Sequence, residues 1–172
     1  MASLRFQAAK VWRLGADIDT DVLAPGIYMK GSLEVLATHC LESVRPDFAP
    51  GVRAGDVVAA GPNFGIGSSR EQAAGVLRHL GVAAVIAPSY SGLYFRNAFN
   101  LGLLLLTCPE AETLVEGERV RLDWQDPSRA PCVHTESGRT LVCANVPDFL
   151  LDMVRAGGLL PALTEKFQKK NP

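Results

Sequence analysis

A short apolar run, Asp56 to Ala60, passes directly into Gly61-Pro62-Asn63-Phe64-Gly65-Ile66-Gly67-Ser68-Ser69-Arg70, and an amphipathic stripe follows at once. Strand, glycine-rich turn and helix in this order form the unit from which sheets with helical cover are built. Ser68 and Glu71 have the S-x-x-E spacing of a capping box, which places the helix start inside the motif. Ala73, Val76, Leu77 and Leu80 then mark a buried stripe that ends at Gly81.

The same alternation extends in both directions. Val11 to Leu14 reads as a strand, and the polar run Gly15 to Asp21 reads as a loop. Ser32 caps a helix in which Leu33, Leu36, Ala37, Cys40, Leu41 and Val44 recur at helical spacing until Pro46. Val82 to Ala87 and Leu103 to Thr107 are buried strands, with a short helix over Tyr94 to Asn100 between them. After Pro109 the texture changes to short strands at Glu118 to Trp124, Cys132 to Thr135 and Thr140 to Cys143. A final helix over Pro147 to Ala156 stops at Gly157-Gly158, and Glu165 to Pro172 reads as a polar, frayed tail. The expected architecture is one α/β domain over residues 1–164, a mixed sheet with helices packed on it, followed by the tail 165–172.

Composition narrows the function. With 172 residues, 48% apolar and 20% charged, the chain can bury one core of useful size. The 17 basic and 18 acidic residues leave a formal charge of -1, too little field to draw in nucleic acid or an acidic membrane, so any anion site is local. The most apolar run, Leu101 to Leu106, is too short to cross a bilayer. The start carries Arg5, Lys10 and Arg13 without a signal-peptide core, which points to the cytoplasm. Cys40, Cys108, Cys132 and Cys143 are scattered and form no metal-binding spacing, so no metal site is expected in this chain and a required metal would come from another.

The glycine-rich turn is where chemistry is expected. Gly61, Gly65 and Gly67 with Ser68 and Ser69 bring backbone amides to a helix start, where the dipole favours negative charge. Arg70 adds a fork that holds a carboxylate through two hydrogen bonds. The turn is neither a P-loop, because no Lys-Ser/Thr pair follows, nor a dinucleotide fingerprint, because the third glycine is missing. Neither serine sits in G-x-S-x-G. From the local pattern alone Ser68 reads first as a helix cap, Arg70 as a surface charge, Lys30 as a solvated lysine, and Asp19, Thr20 and Asp21 as turn residues.

Asn63-Phe64-Gly65-Ile66-Gly67-Ser68-Ser69-Arg70-Glu71 resembles the signature loop of the swivelling domain of aconitase-type enzymes, above all the separate small subunits of 3-isopropylmalate dehydratase and homoaconitase. Asp17-Ile18-Asp19-Thr20-Asp21 with Pro25-Gly26-Ile27-Tyr28, the run Arg96 to Gly102, and Ala156-Gly157-Gly158-Leu159 resemble further segments of that family, in the same order, so the resemblance covers nearly the whole chain.

The resemblance implies a swivelling β/β/α domain and a hydro-lyase subunit acting on a small hydroxy-carboxylate by dehydration and rehydration. 3-Isopropylmalate, in leucine biosynthesis, is the first expectation; homocitrate and methyl-substituted malates are alternatives, as is a stand-alone anion-binding domain. It implies that Ser68 is the general base and that Arg70 binds a substrate carboxylate, with Ser69 and Gly67 beside them, and that Asp21 and Thr20 stand behind the serine. Lys30 falls where the family faces the variable part of the substrate, and an ammonium there suits a carboxylate better than an isopropyl group. The family's 4Fe-4S cluster is expected in a large partner subunit rather than in this chain. The active assembly would then be a hetero-oligomer, with a homo-oligomer an option for the isolated chain.

Overall fold

A computed structural model of the chain describes residues 4–170; Met1 to Ser3 and residues 171–172 of the tail lie outside the described residues. Seven strands form a single sheet in the order β4-β3-β2-β1-β5-β6-β7. β1 (Leu4–Arg13) is the shared strand: it pairs in parallel with β2 (Val57–Ala59) and antiparallel with β5 (Arg119–Trp124). It is longer than the apolar run Val11 to Leu14 suggests, because its first half alternates polar and apolar residues and pairs with β5 around a bulge between Phe6 and Ala9.

On the parallel side β2 is followed by β3 (Ala84–Ala87) and β4 (Leu104–Thr107). β2 and β3 are buried along their whole length, as strands covered on both faces must be. On the antiparallel side β5, β6 (Cys132–Thr135) and β7 (Thr140–Val142) follow. Along β5 Val120, Leu122 and Trp124 are buried and alternate with exposed residues, so this half turns one face to solvent. Beyond β7 the amide of Ala144 donates to the Thr107 carbonyl at 2.7 Å, so the chain after one edge strand is tied to the end of the other.

The helices pack on the parallel side. α1 (Thr20–Leu23) is one turn, capped by the Asp19 carboxylate, in a segment whose sequence reads as loop. α2 (Leu33–Thr38) starts at Ser32, whose hydroxyl accepts from the Val35 amide as expected, but ends six residues before the apolar spacing does. Leu41 takes a left-handed conformation (φ 63°) and bonds back to the Val22 carbonyl, so Cys40 and Leu41 reach the core from turns instead. α3 (Phe48–Gly51) follows Pro46. α4 (Gln72–His79) and α5 (Gly92–Asn100) precede β3 and β4. α6 (Asp148–Ala156) ends on left-handed Gly157, as the glycine pair indicates, yet it is not the last helix. α7 (Leu159–Lys170) follows, and the polar stretch from Glu165 continues it rather than trailing as a tail.

Cys40, Cys108 and Cys143 are buried and Cys132 is half-buried, all four as free thiols. No helix among the described residues is long and apolar enough to cross a membrane.

Candidate active site

Where β1 and β2 end, their parallel pairing does not. Leu14 donates to the Ala59 carbonyl, Gly61 to Gly15, Asp17 to Pro62, Gly65 to Ile18 and Thr20 to Ile66, all between 2.8 and 3.0 Å. This ladder runs the polar segment after β1 alongside the glycine-rich turn after β2 and fixes their relative register. The two backbones nearly touch: a Cβ at Gly61 would lie 2.8 Å from the Cα of Ala16. Asp17 and Asn63 are both left-handed (φ 56° and 61°), a conformation their short polar side chains tolerate. The Asn63 amide donates to the Asp17 carboxylate at 2.8 Å, tying the two strained residues together.

A third segment, after β3, braces the turn from the other side. The Asn63 amide N–H donates to the Ser89 hydroxyl at 2.8 Å, Phe64 donates to the Ser89 carbonyl, and Ser91 donates to the Phe64 carbonyl. The buried ring of Phe64 meets Tyr94 edge to face, with centroids 5.3 Å apart. Gly65 (φ 80°) lies flat on the Tyr94 ring, where a Cβ would fall 2.1 Å from Cγ. Gly67 (φ 104°) passes the Asp19 carboxylate at a distance that also excludes a side chain.

These contacts deliver Ser68 to Thr20. The Ser68 amide donates to the Thr20 hydroxyl at 3.0 Å, and the two side-chain oxygens are 3.2 Å apart. Thr20 is buried, whereas Ser68 and Ser69 are exposed. Ser69 is anchored through its carbonyl, which accepts from the Asn97 side chain at 3.0 Å. Arg70 is half-buried; its Nη1 donates to Asp21 Oδ1 at 2.7 Å and to the Ala24 carbonyl at 2.8 Å. The hydrogen bond from Arg70, and then that from the Gly26 amide, hold the Asp21 carboxyl below its ordinary range. The amides of Gly67, Ser69 and Arg70 donate to no protein group among the described residues, which leaves a row of donors beside the Ser68 hydroxyl.

Lys30 stands apart from this cluster. It is exposed and makes no hydrogen bond or ion pair with the described residues. Its segment starts at Gly26, where an added Cβ would meet Asp21 and the Arg70 guanidinium within 4 Å, and passes Tyr28, which stacks on His39 with centroids 3.5 Å apart. The structure thus gathers Ser68, Ser69, Gly67, Arg70, Thr20 and Asp21, and leaves Lys30 exposed without a hydrogen-bond or ion-pair partner among the described residues.

The capping box is a correction. α4 begins only at Gln72, Glu71 stands at its cap without a side-chain bond, and Ser68 lies four residues upstream with its amide on Thr20. Gly67 bends the chain away from helical geometry, so the α4 dipole does not start at Ser68. Three supports escape a sequence reading: Asn97 under Ser69, Ser89 on Asn63, and the Asp17–Asn63 pair. Only the last had a local signal, Asn and Asp in glycine-rich turns.

Among the described residues no three His, Cys, Asp or Glu side chains gather to hold a metal ion.

The aconitase C-terminal domain family matches residues 52–111, which span the whole glycine-rich turn. The 3-isopropylmalate dehydratase small subunit 1 of Archaeoglobus fulgidus is 41% identical over 152 residues, 88% of this chain and 92% of that protein. The methanogen homoaconitase small subunit of Methanothermobacter thermautotrophicus is 39% identical over 153 residues, 88% and 86% of the two chains. The crystal structure of 3-isopropylmalate dehydratase from Methanocaldococcus jannaschii superposes with a TM-score of 0.86 at 31% identity, covering 99% of this chain and 100% of the other.

Proposed function

The chain belongs to the family of 3-isopropylmalate dehydratase small subunits, within the aconitase-type hydro-lyases, and from that membership we propose that it is the small subunit of a dehydratase that isomerises a hydroxy-dicarboxylate, interconverting 2- and 3-isopropylmalate. The observation that carries the reading is the exposed Ser68 hydroxyl beside the Arg70 fork and the free amides of the turn.

In this reading Arg70 receives one substrate carboxylate while keeping its bond to the Ala24 carbonyl, and the amides of Ser69 and Arg70 supply further donors. A carboxylate so held puts the adjacent carbon over Ser68. With its Oγ deprotonated, Ser68 takes the proton from that carbon, the C–H electron pair forms a double bond, and hydroxide leaves the neighbouring carbon; when water adds back in the other sense, Ser68 returns the proton to the carbon that lost hydroxide. Serine is a weak base unless its oxyanion is stabilised, which is the task of the surrounding donors. The iron-sulfur cluster of this enzyme class belongs in our reading to a large subunit, and activity requires that partner to close over the exposed face.

Lys30 favours a second reading. An exposed ammonium with no partner suits a substrate with a third carboxylate, as in homoaconitase, more than one with an isopropyl group. The test is to assay the purified chain alone, and then reconstituted anaerobically with its large subunit, on 2-isopropylmalate, homocitrate and methylmalates. Turnover that needs both chains supports the dehydratase and names its substrate. Turnover of none, with no association between the chains, leaves only an anion-binding domain.

A further inference from the structure

The hydroxyl of Thr20 is a hydrogen-bond donor whose direction follows from its surroundings. A hydroxyl has one hydrogen and two lone pairs. Thr20 Oγ1 already accepts from the Ser68 amide at 3.0 Å, and its side chain is buried, 1% exposed, where an unused donor is costly. Among the described residues the one acceptor within reach of its O–H is Ser68 Oγ, at 3.2 Å. Ser68, by contrast, is exposed and can turn its own hydrogen outward.

We infer that Thr20 is a positioning residue that clamps Ser68 through two bonds, accepting from its amide and donating to its side-chain oxygen. The clamp fixes the Ser68 rotamer, and once Ser68 has lost its own hydrogen it leaves lone pairs of Oγ facing the substrate side. It also supplies a donor that strengthens as Oγ gains negative charge, so it favours the deprotonated base more than the resting hydroxyl. The register that makes this contact is set by the ladder, because Thr20 itself donates to the Ile66 carbonyl at 2.8 Å. The charged groups around the pair are Asp19, whose carboxylate lies against Gly67, and the Asp21–Arg70 ion pair. Asp19 and Asp21 oppose a second negative charge, so Arg70 alone among these does not suffice and a neutral donor directed at Oγ has a distinct task.

This inference rests on Ser68 being the base, and the experiment separates the two. The reconstituted two-chain enzyme is compared as wild type, Thr20→Val, Thr20→Ser and Ser68→Ala, with kcat, KM, the pH profile and the melting temperature measured for each. Thr20→Val is expected to lower kcat about 10- to 100-fold with KM within about twofold, somewhat less than the loss of a full oxyanion-hole donor. Its ascending limb moves to higher pH, and Thr20→Ser returns kcat to within about threefold of wild type, because it keeps the hydroxyl. If Thr20→Val melts below the assay temperature, Thr20→Ala carries the same expectation. Wild-type kcat and pH profile without the hydroxyl, or a loss that Thr20→Ser does not restore, overturns the role of Thr20. An active Ser68→Ala overturns the underlying reading instead.

Discussion

Arg70 reaches Asp21 at 2.7 Å with the same nitrogen that holds the Ala24 carbonyl at 2.8 Å, so in the proposed function the guanidinium is aimed before substrate arrives. One side of the fork is committed to the protein and the other is left open. Preorganisation of this kind matters because a carboxylate gains most from two parallel bonds to a fork that does not have to be reoriented.

Magnitudes separate the two partners. Asp21 is largely exposed, and exposed ion pairs contribute about 0.2–1 kcal/mol, so Asp21→Asn is expected to raise KM no more than about fivefold. Arg70→Lys keeps the charge but loses the fork, and its kcat/KM should fall about 10- to 100-fold, in line with hydrogen bonds to charged groups. Because the Asp21 carboxyl is depressed below 3.8, its contribution is present above that value and is lost only as pH falls through the still lower folded value. The Asp21→Asn enzyme should therefore keep the wild-type shape of its rate profile above about pH 5, as the same relation requires. Steady-state kinetics across pH check all three statements.

Two glycine substitutions should behave oppositely. Gly65→Ala puts a methyl 2.1 Å from Tyr94 Cγ at a φ of 80°, and is expected to cost at least about 3 kcal/mol, a fall in melting temperature of about 6–12 °C. Gly92→Ala, at the first residue of α5, meets nothing within 4 Å and should be neutral or up to about 1 kcal/mol stabilising. Thermal melts of the two variants measure both.

Beneath Gly65 the Tyr94 hydroxyl is buried with no hydrogen-bond partner among the described residues. Removing an unsatisfied buried polar atom costs nothing, so Tyr94→Phe should be as stable as wild type or more stable by about 1 kcal/mol, as denaturant unfolding can determine. A loss above about 1 kcal/mol would mean that the hydroxyl has a bonded partner in solution.

Lys30 has no hydrogen bond or ion pair to lose among the described residues, so Lys30→Met should leave stability within about 0.5 kcal/mol. Its effect belongs to specificity. The ratio of kcat/KM for 2-isopropylmalate over homocitrate should rise at least tenfold if an unpaired ammonium is what disfavours an apolar group, a penalty of about 1–3 kcal/mol. An unchanged ratio would place Lys30 outside the substrate's reach.

The sequence carried the strand, glycine loop and helix in order, the Ser32 cap, β6 to the residue and the Gly157 stop, because each depends on neighbours within a turn or two. Ser68 shows the limit. Its S-x-x-E spacing satisfies a capping box, yet its partner is Thr20, 48 positions away, and only the β1–β2 ladder brings them together. The periodic apolar run to Val44 misled for a related reason: Leu41 reaches the core by turning left-handed toward Val22, which helical spacing does not reveal. The bond from Ala144 to Thr107 and the support of Ser69 by Asn97 are likewise long-range and had no local sign. The candidate residues Gly67 to Arg70 could be picked out together because they lie in one contiguous loop, whereas what positions them comes from other segments.

The most direct measurement is the dehydration rate of the anaerobically reconstituted two-chain enzyme with Ser68→Ala against wild type, with association of the two chains measured alongside. With Ser68 as the base, the variant should still bind its partner and substrate while kcat falls about 10²- to 10⁴-fold, the usual contribution of a general base. A Ser68→Ala enzyme that turns over within tenfold of wild type would contradict the assignment of the base and the account built on it.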